Sequence, residues 1–269
     1  MSAVRATARE LRGLFFADSC LLLHAAILIT VVAVCVRLLP VPPLAGGIVL
    51  LVGCLAFVLQ STNRAFHAYS GAAVSHDSRA GVLFDHATRL ATATSIALTI
   101  ALASLGAFAA YLQFTGNVHA IEPQMAYRSN TLGSAQLQQV IEQNGIRTIL
   151  NLRGGSMESP WYANEASIAK SHGVALVDVP MSDDRMPEPQ TLSALIATLH
   201  DAQYPILIHC KAGADRTGLA SALFELLVMK KSPQEAAEQL SFNYGHFPWL
   251  GSKTGAMDRT FWQVVAETP

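Results

Sequence analysis

Residues 206–218 read Ile-Leu-Ile-His-Cys-Lys-Ala-Gly-Ala-Asp-Arg-Thr-Gly and bring together two groups with complementary chemistry. Cys210 supplies a thiol where a short loop of mostly small residues begins, and Arg216 supplies a guanidinium where it ends. An apolar β-type run precedes the loop, and an apolar helix-forming stretch, 219–229, follows it. This order predicts a strand, a tight turn and a helix N-terminus. Successive backbone N–H groups of such a turn form an anion cradle, reinforced by the positive end of the helix dipole. An arginine at its rim adds a bidentate grip on phosphate oxygens. The same field favours a thiolate, which is the strong nucleophile. The combination implies cleavage of a phosphate ester through a cysteinyl-phosphate, with Lys211, Ala212, Gly213, Ala214, Asp215 and Arg216 around the phosphate.

The elements that must position this loop are legible around it. From about residue 118 the chain alternates strands and helices: helix 136–144 closed by Gly145, strand 147–152, helix 164–171, strand 174–179, helix 190–201 and strand 205–209. Alternation of this kind gives an α/β domain with a mostly parallel sheet flanked by helices. Ligands then bind at the carboxyl ends of the strands. Cys210 falls at such an end. His209, one residue earlier, points away from the cradle by strand alternation and anchors the loop rather than acting as a base.

The first 117 residues are of another kind. Of the 269 residues, 51% are hydrophobic and only 14% charged, and the apolar excess lies almost wholly before residue 115. Runs 20–39, 44–60 and 91–114 approach the ~20 residues needed to cross a bilayer core. They predict an N-terminal transmembrane region of about three helices ahead of a catalytic domain at 118–269. Arg5, Arg9 and Arg12 precede the first run, and Arg64, Arg79 and Arg89 lie between the second and third. Positive charge stays on the cytoplasmic side, so three spans put the catalytic domain outside the cytoplasm, and two spans put it inside. The alanine-rich composition and compact anchor fit a bacterial inner membrane. His67, His76 and His86 have no metal-ligand spacing. Of the four cysteines, Cys20, Cys35 and Cys54 sit in the apolar runs, leaving Cys210 alone in the second half. A net charge of −1 gives no field for nucleic acid. No glycine-rich nucleotide loop, metal-ligand pattern or second redox cysteine appears, so no cofactor or metal is expected.

The 209–218 segment resembles the signature of the cysteine-dependent protein tyrosine and dual-specificity phosphatases, His-Cys-x5-Arg-Thr/Ser. The Asp-Arg-Thr-Gly ending is similar to an atypical bacterial branch with members acting on lipid or inositol phosphates. The resemblance extends over roughly 120–269, though only 209–218 is sharply specific. It implies Cys210 as nucleophile, Arg216 as phosphate ligand, and Thr217 as a hydrogen-bond donor to the sulfur, or a helix cap. It also implies a general acid on a loop 25–35 residues before the cysteine, where Asp183 and Asp184 stand. Asp215, inside the loop itself, is the rival. Tyr127-Arg128-Ser129 and Asn151-Leu152-Arg153-Gly154 are similar to segments bordering the active-site floor in bacterial members, making either Arg128 or Arg153 a candidate for substrate contact or, equally, for a salt bridge that ties loops together. The segment 244–249 reads as a loop with aromatic packing. The implied substrate is a phosphorylated protein; a phospholipid or glycolipid head-group phosphate is the alternative.

Overall fold

A computed structural model describes residues 22–37, 43–69 and 79–268 of the chain. The chain divides into two compact units, residues 1–108 and 109–269. In the first part, helix α1 is described over Leu22–Arg37, followed by α2 (Pro43–Tyr69) and α3 (Arg79–Phe114). Among the described residues two helices are long and apolar enough to cross a membrane, over Leu44–Thr62 and His86–Phe114. They leave Leu51, Leu55, Leu90 and Ile100 exposed. The described part of α1 is shorter; the ends of the run expected at 20–39, and Arg5, Arg9 and Arg12, lie outside the described residues.

The second unit is built on a five-stranded sheet in the order β1-β2-β5-β3-β4. Its strands are β1 (His119–Glu122), β2 (Ala126–Ser129), β3 (Thr148–Asn151), β4 (Ala175–Asp178) and β5 (Ile206–His209). Only the β1–β2 pair is antiparallel, and the other pairs are parallel. The central strands β3 and β5 are buried throughout, as continuous apolar runs in a parallel sheet should be. Helices are α4 (Ser134–Asn144), α5 (Pro160–Ser171), α6 (Pro189–Asp201), α7 (Asp215–Leu223), α8 (Pro233–Ala237) and α9 (Gly255–Glu267). Helix α4 stops at Gly145, whose φ of 61° ends it in the left-handed conformation. Proline opens α5 and α6 at their first turns, where its missing N–H costs nothing.

Period-two alternation sorts the core into two layers. Ile206, Ile208 and Leu150 face one hydrophobic cluster with Leu195, Leu199, Leu219, Leu223 and Phe261. Leu207 and Ile149 face the other, with Leu137, Ile141 and Ile168. Cys210 continues the Ile208 side, whereas His209 continues the Leu207 side and meets Glu165 of α5, with Nε2 3.1 Å from Oε2. Because β5 pairs with both β2 and β3, Ser129 and Asn151 lie level with His209 on either side. The segments leaving β2 and β3 therefore converge on the loop that begins at Cys210.

Candidate active site

The loop 210–214 is held from outside by its carbonyl groups. Thr131 Oγ1 donates to the Cys210 carbonyl at 3.0 Å, and the Thr131 N–H donates to that of Lys211 at 3.3 Å. Asn117 Nδ2 reaches the carbonyls of Ala212 and Gly213 at 3.2 and 3.3 Å. Arg128 Nη2 reaches those of Gly213 and Ala214 at 3.0 and 3.3 Å. The Ala214 carbonyl also takes the first intrahelical bond of α7, from Gly218 at 2.7 Å. With the carbonyls engaged on the outer side, the amides of a tight loop are left for the concave side, the arrangement an anion requires.

Gly213 is demanded by this packing. Its φ is +71°, and a Cβ would lie 2.7 Å from the backbone of Ser129 and Asn130. Backbone cannot move aside as a flexible side chain can, so the turn tolerates no other residue here without displacement.

Cys210 lies at the base of the loop, 2% exposed. A thiolate at this position would favour the charged forms of Arg128 and Arg153. Arg216, in the first turn of α7, is buried; Nη1 donates to Met181 O at 3.2 Å and Nη2 lies 3.3 Å from Asp183 Oδ2. Arg216 Nε and the Thr217 hydroxyl are buried without a hydrogen-bond partner among the described residues. Unmade hydrogen bonds at buried donors are costly, and a bound oxyanion would supply the missing acceptor for Nε. Thr217 does not cap its helix: Ala214 is the N-cap residue, and no side chain bonds there. Lys211 is exposed beside the loop, with Ala212 half-buried and Ala214 buried.

The three carboxylates at issue have separate surroundings. Asp183, 47% exposed, stands against Arg216. Asp184 is turned to the Ser182 hydroxyl, a hydrogen bond that holds its carboxyl below the usual range, helped by Arg185 and Lys253. Asp215 is bound through Oδ1 to His246 Nδ1 at 2.7 Å.

Arg128 departs from its expected role as a substrate contact. It is fully buried in β2, with Nη1 on Gln239 O and Oε1 at 2.8 and 2.7 Å and the guanidinium 3.8 Å from the Tyr244 ring centroid. Burial lowers its pKa to about 10, still well above neutrality, and the Glu225 and Asp215 carboxylates favour the cation. It braces the loop from beneath, and no substrate reaches it. Arg153 sits at the rim instead: it stacks 3.9 Å over Trp161, donates to Thr131 Oγ1 at 3.2 Å, and is held below the usual guanidinium pKa by burial and by Arg216.

The family described as "DSP-PTPase phosphatase fused to NAD+ Kinase" matches residues 123–251. Residues 123–251 are thus similar to cysteine-dependent phosphatases of the dual-specificity type. The dual specificity protein phosphatase TpbA of Pseudomonas aeruginosa is 26% identical over 125 residues, or 46% of this chain. The chain spans about half the length of that curated relative, 53%. Among solved structures, P. aeruginosa TpbA is 21% identical with a TM-score of 0.40, covering 58% of this chain and 86% of its own. PTPMT1 is 18% identical with a TM-score of 0.43, covering 56% and 97%. Tk-PTP in its active form is 16% identical with a TM-score of 0.44, covering 57% and 98%.

Residues around the phosphatase loop that the sequence did not single out are Asn117, Thr131, Gln239, His246 and Asp258. Each is a single polar residue that gains its role only when the chain folds back on the loop. The 244–249 segment does carry the aromatic packing expected of it, with Phe247 and Trp249 edge to face. It also delivers His246 to Asp215.

Proposed function

We propose that the chain is a membrane-anchored phosphomonoesterase that works through a cysteinyl-phosphate, on phosphorylated proteins of the tyrosine or dual-specificity class. The observation that carries this reading is the loop turned inside out: the carbonyls of 210–214 are spoken for from outside, while Arg216 Nε is buried without a partner among the described residues. A phosphate dianion seated in the cradle would accept from the loop amides and Arg216, which neutralise charge on its equatorial oxygens. The Cys210 thiolate attacks phosphorus, the S–P bond forms, and the ester P–O bond breaks. The leaving oxygen takes a proton from Asp183, the carboxyl that stands beside Arg216. Water then attacks the cysteinyl-phosphate, Asp183 takes its proton, and inorganic phosphate leaves with the thiolate restored. Thr217, whose hydroxyl is buried and unpartnered among the described residues, is the candidate donor to the departing sulfur.

A second reading, a lipid head-group phosphatase, draws support from the chain's connectivity. Apolar helix α3 ends at Phe114 and β1 begins at His119, so the phosphatase domain follows a candidate span with almost no tether. Anchoring at that range raises the local concentration of lipid phosphates. Were three segments to span, the positive-inside rule applied to the arginines at 64, 79 and 89 would favour an extracytoplasmic domain, where phosphorylated lipid is a more accessible substrate than protein.

The detergent-solubilised full chain and its Cys210→Ser variant should be assayed side by side on phosphotyrosine peptides and phosphorylated lipids. Hydrolysis lost in C210S, with a phosphorylated cysteine trapped on acid quench of wild type, is expected. Hydrolysis persisting in C210S would overturn the mechanism, and the substrate turned over faster decides between the two classes.

A further inference from the structure

His246 is buried between two carboxylates contributed by different elements. Nδ1 lies 2.7 Å from Asp215 Oδ1, at the first residue of the helix that carries Arg216, and Nε2 lies 2.9 Å from Asp258 Oδ2 on α9. A carboxylate accepts and cannot donate, so both ring nitrogens must carry protons for both bonds to exist. The geometry suits an imidazolium that donates at both ends. The link spans three segments: the N-terminus of α7, the loop 245–254 and the first turn of α9. It lies beneath the cradle, where Gly245 packs against Ala214 and the neighbouring Tyr244 offers its carbonyl to Asn117 at 2.9 Å and its ring to Arg128.

We propose that His246 is a positioning residue of the phosphatase site, tying Asp215 and hence the N-terminus of the Arg216 helix to α9 so that the cradle is fully assembled only while the imidazole carries both protons. This inference rests on the phosphatase reading. It makes the Asp215 carboxylate a fixed anchor and leaves proton donation to Asp183. The charged groups facing His246 are Asp215 from α7 and Asp258 from α9; beyond Asp215, Arg128 of β2 acts on the same carboxylate. Burial opposes the imidazolium, but the bonds to the two aspartates and their charges outweigh it and raise its pKa to about 9.

The test is the pH dependence of kcat/KM, from about pH 5 to about pH 10, on an aryl phosphate whose low-pKa leaving group needs no proton from Asp183, for the solubilised full chain, H246N, D258N and C210S. Wild type should lose activity on the alkaline side as His246 gives up a proton. Removing one of the two carboxylates makes the imidazolium easier to deprotonate, so D258N should lose activity at a lower pH than wild type. H246N should lack that ionisation and fall by up to roughly 100-fold, the effect of a misplacement of about 1 Å in a catalytic group. An alkaline limb that does not move in D258N overturns the proposal, and that variant decides the matter even if H246N fails to fold. Absence of any Cys210-dependent hydrolysis in wild type would instead overturn the phosphatase reading itself.

Discussion

Replacing Arg128 with Met separates a brace from a substrate contact. The guanidinium makes four hydrogen bonds, to Gln239 O and Oε1 and to the carbonyls of Gly213 and Ala214. The loop carbonyls keep second donors, Asn117 for Gly213 and the Gly218 N–H for Ala214. The losses therefore concentrate on Gln239, whose oxygens are left without this donor, and on Asp215 and Glu225, which lose a nearby cation. Removing one member of a buried charged network costs about 3–5 kcal/mol, because the remaining polar groups stay desolvated. At roughly 2–4 °C per kcal/mol for a domain of this size, R128M should melt about 6–20 °C below wild type in detergent. The loop, held on one side only, should lose kcat well below the melting point. A contact with substrate would behave differently: stability kept, KM raised. R128M with an unchanged melting temperature and a defect confined to KM would refute the bracing role.

Asp183→Asn should lower kcat about 100- to 10,000-fold on an alkyl phosphate and least on an ester whose leaving group has a low pKa, the signature of a lost proton donor. Asp184→Asn, with its carboxylate turned to Ser182, should stay within about twofold of wild type in the same assay. His246 also makes stability depend on pH. Its folded pKa, about 9, exceeds the ordinary 6.5, so its contribution is complete below pH 6.5 and lost as pH rises through about 9. The shift corresponds to about 3 kcal/mol, so thermal melts of wild type should fall toward those of H246N across that window, and equal slopes for the two would contradict it.

The parts of the fold that the sequence announced are those where one physical signal acts alone. Strands β3, β4 and β5 were legible as short apolar runs, and their observed spans fall inside the expected ones. Strand β2 was not, because Ala126–Ser129 places an arginine at a fully buried position. Hydrophobic patterning has no way to register a charge that is buried because backbone carbonyls and Gln239 receive it. The nucleophile and the arginine were legible because the loop is local. Asp183 and Asp184 were indistinguishable as neighbours, and only the turn of their segment sends one to Arg216 and the other to Ser182.

The same distinction explains why a Cys-x5-Arg spacing is a weak signal by itself. Spacing sets which groups the loop contains, whereas anion binding depends on which way its peptide units face. Here that direction is imposed by donors far away in the chain: Asn117 before β1, Arg128 in β2 and Thr131 after it. Gly213 permits the turn, and those donors select it, since a peptide whose carbonyl is bound outside must present its N–H elsewhere. A sequence with the cysteine and arginine in place but without such donors would carry a buried thiol beside a helix, and would have no reason to bind phosphate.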